Sequence, residues 1–247
     1  MHIDRGGQSW PPGGEDQLID RLADDYITND NLDLGSLLAD NQVGRVALVS
    51  SFGADSIVLL HKVLQLSPNI DVLFLDTGKH FPETLRYVDQ VCEFLDIRNF
   101  RAIQPDAAMV LAEDPKGNLW SRDPNMCCTI RKTFALQDAL VEFDGWLTGR
   151  KRYQGGIRAG IPYLERDGKH LKINPLIRET PESLRNYIST NGLPQHPLVA
   201  RGYRSIGCGP CTKPVKPGED ERSGRWQGVD KVECGIHLGP SGHFVRG

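Results

Sequence analysis

The sequence has no apolar run approaching the roughly 18 residues a membrane-spanning helix needs, which sets aside a membrane span. Its opening stretch, residues 1–17, lacks the apolar centre of a signal peptide. An excess of basic residues is also missing. There are 29 Lys and Arg against 32 Asp and Glu, a net charge of −3, so the bulk balance does not point to a nucleic-acid partner. No internal repeat is present. Cysteine is scarce, six in all, and a long chain without an export signal directs those six towards metal or redox chemistry rather than a disulfide framework. A cytoplasmic protein without membrane or nucleic-acid partners is the expectation.

What is present suits one α/β domain. The 247 residues are 39% hydrophobic and 25% charged, enough to bury a full core. Residues 1–15 are rich in Gly, Pro and polar groups and are expected to be disordered. Leu18, Ile19, Leu22 and Ala23 share one helical face within 16–40. Strands are then predicted over 46–49, 70–75 and 98–103, with helices over 57–66 and 82–95 between them. Further on come a helix over 133–143, strands over 145–148 and 171–174, and a helix over 181–190 with Thr180 as its N-cap. Strands alternating with helices across short turns predict an open, mostly parallel twisted sheet with helices on both faces. The predicted organisation is a nucleotide-binding α/β domain over 16–202, carrying the Cys127-Cys128 pair. A flexible, irregular C-terminal segment follows over 203–247, carrying Cys208, Cys211 and Cys234.

In an open parallel sheet, ligands sit beyond the carboxyl ends of the strands. Three segments, 50–56, 76–80 and 148–152, leave strands there and are expected to converge. The first, Ser50-Ser-Phe-Gly-Ala-Asp-Ser56, runs from an apolar strand into an apolar helix. Its N–H groups and the hydroxyls of Ser50, Ser51 and Ser56, with the helix dipole behind them, make an anion site. Gly53 permits close approach of a ligand. No Gly-Lys-Ser/Thr follows, so this is not a P-loop. An ordinary strand–turn–helix junction is the plainer alternative.

Cys127-Cys128 and Cys208-Gly-Pro-Cys211 together supply four thiolates, the complement of an iron–sulfur cluster or a structural zinc. An adjacent pair is unusual for zinc. Arg131 and Lys132 follow the first pair, where cations offset cluster charge and reach an anionic substrate. A thioredoxin-like redox pair at 208–211 lacks its usual strand-to-helix setting. Cys234 stands apart in Glu233-Cys-Gly-Ile-His237, where His237 and nearby basic residues favour the nucleophilic thiolate. A spare exposed cysteine is the alternative. Cys92 reads as core, and His61 and His80 as surface or turn residues.

The loop at 50–56 resembles the pyrophosphate loop of the adenine-nucleotide α-hydrolase-like superfamily, Ser-Gly-Gly-x-Asp-Ser, with Phe52 in place of the first glycine. Taken with the Asp76–Thr84 stretch, Thr148–Gln154, the two cysteine pairs, Glu219–Trp226 and Glu233–His237, the chain resembles the assimilatory adenosine 5′-phosphosulfate reductases of the sulfonucleotide reductase family. The resemblance covers about residues 45–238. It implies one 4Fe–4S cluster on Cys127, Cys128, Cys208 and Cys211, and Cys234 as nucleophile assisted by His237. It further implies adenosine 5′-phosphosulfate as substrate, thioredoxin or glutaredoxin as reductant, and sulfite and AMP as products. In that scheme Ser50, Ser51, Gly53 and Ser56 cradle phosphate, while Lys132, Arg150, Arg152, Arg222 and Arg225 neutralise phosphosulfate oxygens; which of Arg150, Lys151 and Arg152 faces the ligand is left open by the sequence. A homo-oligomer is compatible with all of this. The rival functions are reduction of the 3′-phosphorylated substrate, whose reductases typically lack the cluster pairs, an ATP pyrophosphatase of the same fold, and a non-catalytic iron–sulfur or zinc module.

Overall fold

The computed structural model describes residues 14–229, 231 and 233–236. Runs such as Val-Ala-Leu-Val form strands that bury both faces, as parallel strands covered by helices must. The sheet comprises β3 (Val46–Ser50), β4 (Asp71–Leu75), β5 (Asn99–Ile103), β6 (Gly145–Leu147), β7 (Leu164–Asp167) and β8 (His170–Ile173), of which the edge strands β5 and β7 are partly exposed. They form one sheet in the order β5-β4-β3-β6-β8-β7, parallel throughout except for antiparallel β7 at the edge. A two-strand hairpin, β1 (Ile27–Thr28) with β2 (Asn31–Leu32), stands outside it.

Side chains alternate across the pleat. Leu48, Phe74 and Leu147 face a core shared with α1 (Gly14–Tyr26), α2 (Leu34–Ala39), α3 (Ser56–Leu66), α4 (Pro82–Phe94) and α9 (Pro181–Thr190). Ala47, Val49, Leu73 and Trp146 face the other way, onto Leu136 and Leu140 of α8 (Phe134–Leu140). The doubly covered parallel sheet expected from the sequence is therefore present. Thr180 caps α9 through a reciprocal pair, Ser183 N donating to Thr180 Oγ1 at 3.1 Å and Thr180 N to Ser183 Oγ at 2.9 Å.

Three features differ from expectation. The helix predicted over 133–143 is preceded by a π-helical turn, Thr129–Thr133, continuous with the cysteine pair. Residues 107–128 form three short helices, α5 (Ala107–Glu113), α6 (Leu119–Arg122) and α7 (Pro124–Cys128), and the first and last of them start on side-chain caps rather than on apolar periodicity. Asp106 accepts from Met109 N and Asp123 from Met126 N. Strand β7 is Leu-Glu-Arg-Asp, a charged edge strand whose composition hides it. Among the described residues no helix is long and apolar enough to cross a membrane.

The segment after residue 202 is irregular, as expected, but its described part is tied down. Ile206, Cys208 and Trp226 are buried, and Thr212 bridges to Arg225. The expected disorder at 1–15 falls almost wholly outside the described residues.

Candidate active site

The segments at the carboxyl ends of β3 and β6, together with His80 from the segment after β4, line a single cavity, which the C-terminal segment covers. The β3 loop lines this cavity with Ser50, Ser51, Gly53 and Ser56, and it is held by its own hydrogen bonds. Phe52 N donates to Ser50 Oγ at 3.1 Å and Gly53 N to Ser56 Oγ at 2.9 Å. Gly53 leaves little room for a side chain, because a Cβ there would lie 3.1 Å from the Ile206 carbonyl. Phe52 sits at φ +46°, in the left-handed region that explains the superfamily glycine. Here the strain is offset by packing. The ring is fully buried and meets Phe74 and Phe100 edge to face, with centroids at 5.5 and 6.0 Å.

Cations crowd the far side. Arg150, Lys151, Arg158, Arg222 and Arg225 all line the cavity, with Lys132. Arg150 is buried, paired with Glu165, and donates to Asn174 Oδ1 from Nε and Nη2 at 3.2 and 3.0 Å. Burial and repulsion from Arg158 bring Arg150 and Arg222 down to about 10, so both remain cations at neutral pH. Lys151 donates to Asp55 at 3.2 Å. The Arg225 guanidinium lies over the Trp226 ring, 4.3 Å from its centroid, and against Gly207, where a Cβ would fall 2.6 Å from Arg225 Cζ.

Of the three consecutive cations, Arg150 and Lys151 line the cavity and Arg152 does not. It opens a 3-10 turn, Arg152–Gln154, that carries it away from the cavity, and its Nε donates to the Ile161 carbonyl at 2.8 Å. Arg158, which the sequence reading did not single out, takes a place in the wall. It pairs with Glu233 at 2.5 Å. Cys234 lines the same cavity, and its N–H donates to Glu233 Oε1 at 3.0 Å. His237 lies outside the described residues. Asp76 caps its own turn, accepting from Gly78 N at 3.1 Å. His80 reaches the cavity wall while its Nε2 bonds the Leu75 carbonyl at 2.8 Å, and burial lowers its pKa.

Cys127, Cys128, Cys208 and Cys211 line a second, smaller cavity with Trp120 and Pro210. Lys132 and Trp226 line both cavities and so stand between them. None of the four cysteines is in a disulfide. Burial first, then Cys128, pushes Cys127 up to about 11, and burial likewise raises Cys128 and Cys211. In Cys208 burial is outweighed by Lys132, the Thr77 hydroxyl (3.3 Å) and Arg225, and its pKa is lowered. Burial works against the Lys132 charge too, but the thiols of Cys208, Cys128 and Cys234 more than offset it and raise its pKa. Among the described residues no three donor side chains converge tightly enough for a single ion. The four cysteines line one cavity and supply four sulfur donors, the number that a polynuclear iron–sulfur centre takes. Two buried donors beside it, Trp226 Nε1 and Arg225 Nε, have no hydrogen-bond partner among the described residues, as suits an anionic group nearby. The adjacent pair is carried by α7 running into the π turn, a feature common at functional sites. Arg131 locks this element, donating to the Thr77 carbonyl at 2.9 Å and to buried Asp114 at 2.7 Å.

A family model for the phosphoadenosine phosphosulfate reductase domain matches residues 45–214. The chain is 50% identical over 195 residues to a Chelativorans protein named adenosine 5′-phosphosulfate reductase, covering 79% of this chain and 80% of that one. It is 42% identical over 190 residues to adenosine 5′-phosphosulfate reductase 1 of Bacillus subtilis, covering 76% and 82%. Among solved structures, phosphoadenylyl-sulfate reductase of Candida auris in a phosphate complex superposes with a TM-score of 0.65 at 23% identity. That match covers 85% of this chain and 100% of the other, a likeness of fold.

Proposed function

The chain belongs to the phosphoadenosine phosphosulfate reductase domain family, and from that premise we propose that it reduces adenosine 5′-phosphosulfate to sulfite and AMP in assimilatory sulfate reduction. It is a sulfur-group oxidoreductase. The observation that carries the reading is the meeting, in one cavity, of the Ser50–Ser56 loop, a wall of arginines and Cys234.

The substrate's phosphosulfate is anionic and repels a nucleophile. The Ser50–Ser56 loop takes its phosphate through N–H groups and hydroxyls at the start of α3. Arg150, Arg158, Arg222 and Arg225, with Lys132, screen the sulfate oxygens; fixed cations are most useful where charge moves in the transition state. The Cys234 thiolate attacks sulfur, a Cys234 Sγ–sulfur bond forms, and the bond to the bridging oxygen breaks, releasing AMP with that oxygen and its electron pair. A thiolate of reduced thioredoxin then attacks Cys234 Sγ. Sulfite leaves with the electron pair of the broken bond, and a mixed disulfide forms. The second thioredoxin thiol resolves it, so the two electrons come from the thioredoxin dithiol. His237, beside the nucleophile in sequence, assists its ionisation.

Cys127, Cys128, Cys208 and Cys211 would hold a 4Fe–4S cluster. It would supply a fixed local charge and a structural tie between α7 and the C-terminal segment. Lys132 and Trp226, which line both cavities, would stand between that charge and the substrate.

The test is anaerobic purification with an iron assay, followed by sulfite release from both sulfonucleotides with reduced thioredoxin. The expected outcome is about four iron atoms per chain and preference for the substrate without the 3′-phosphate. A zinc-loaded protein that releases no sulfite would contradict both the cluster and the reaction.

A further inference from the structure

Glu233 is joined to the nucleophile by one peptide bond, and its side chain is only 9% exposed. Its carboxylate lies between two arginines of the cavity, Arg158 Nε at 2.5 Å from Oε2 and Arg222 Nη2 at 3.4 Å from Oε1. The same Oε1 accepts the Cys234 N–H at 3.0 Å. Left alone, burial would keep the carboxyl protonated. The two arginines and that N–H instead lower it to about 2, so it is an anion throughout the working range of pH. One carboxylate thus fixes the backbone of Cys234 to the arginine wall, and its charge-assisted hydrogen bonds are of the strong, directional kind.

The arginines it holds are also those that face an incoming oxyanion. We infer that Glu233 is a positioning residue, whose carboxylate seats Cys234 in the cavity by occupying Arg158 and Arg222 and thereby competes with the substrate's oxyanions for the same guanidinium groups. The inference rests on the proposed reaction. It predicts a division seldom produced by a merely structural residue: binding in the ground state is weakened so that capture by the nucleophile is faster.

The variant Glu233→Gln keeps the shape and removes the charge. In a Cys234→Ser background, where no turnover occurs, adenosine 5′-phosphosulfate binding by calorimetry should tighten about tenfold. With Cys234 restored, the single-turnover release of AMP without reductant should slow by about 10- to 100-fold, since a small misplacement of a reacting group has that effect. Glu233→Asp keeps the charge on a shorter arm, so its affinity should match the parent while capture still slows. Affinity and capture both unchanged, or both weakened, in the Gln variant would overturn the inference. So would an Asp variant that tightens binding as Gln does. Should the Gln variant fail to fold, the Asp variant decides: unchanged capture there contradicts the positioning role. A parent protein that releases no AMP from this substrate would instead sink the proposed reaction itself.

Discussion

Phe52→Gly restores the residue that the pyrophosphate-loop superfamily carries at this position, and the structure says the protein should lose by it. Phe52 is fully buried, and removing such a ring costs about 3–5 kcal/mol through lost transfer energy and the cavity left behind. Its backbone at φ +46° is strained for any residue but glycine, and relieving that recovers roughly 1–2 kcal/mol. The net is a loss of about 1–4 kcal/mol, or roughly 2–16 °C in Tm for a chain of this size. Urea and thermal melts of the two proteins, followed by circular dichroism, provide the assay. The loop should also lose grip on its ligand, because the Phe52 N–H to Ser50 bond relies on the ring to hold the turn. A glycine variant as stable as the parent, or more so, would refute the argument that the aromatic cluster with Phe74 and Phe100 holds this loop in its strained form.

Gly207→Ala should push Arg225 out of its seat, because the new Cβ would fall within 2.6 Å of the guanidinium carbon. KM for adenosine 5′-phosphosulfate should rise about tenfold with a smaller change in kcat; an unchanged KM would show that Arg225 does not face substrate. Stability should also fall as pH drops from about 6.5 to about 4. Buried His196 accepts the Leu198 N–H at Nδ1 and donates to Thr84 Oγ1 from Nε2 at 3.0 Å, so burial keeps it neutral and lowers its pKa to about 4. In that window the unfolded chain binds the proton and the folded one does not, so the histidine's contribution is whole above 6.5 and is lost progressively below it, by roughly 3 kcal/mol. His196→Gln should flatten that part of a pH–stability curve measured by urea titration, and a curve with the same slope would exclude His196 as its source.

The parts of the site that are legible in the sequence are those whose signal is local. Ser50–Ser56 announces itself because an apolar strand, a small-residue turn and an apolar helix are contiguous. The two cysteine pairs and Cys234 show through spacing alone. Thr180 is read as a cap from its place before Pro181, and the structure bears it out. What stays hidden depends on the tertiary fold. Arg158 and Glu233 are 75 residues apart, and nothing in either local sequence tells of their pairing, although Glu233 stands in the motif of the nucleophile. Arg152 misleads because Arg150-Lys-Arg152 offers three cations in a row. Only the 3-10 turn decides which of them turns away. Strand β7 is missed because Glu165 and Asp167 make it look like a loop, yet Glu165 is the partner that holds Arg150.

Mass spectrometry of the anaerobic protein, mixed with adenosine 5′-phosphosulfate in the absence of reductant, tests the central claim most directly. The peptide that carries Cys234 should gain the mass of one sulfonate group and lose it together with sulfite release when reduced thioredoxin is added, and Cys234→Ser should show no such adduct. Sulfite formation without an adduct, or an adduct on Cys127, Cys128, Cys208 or Cys211 instead, would contradict it.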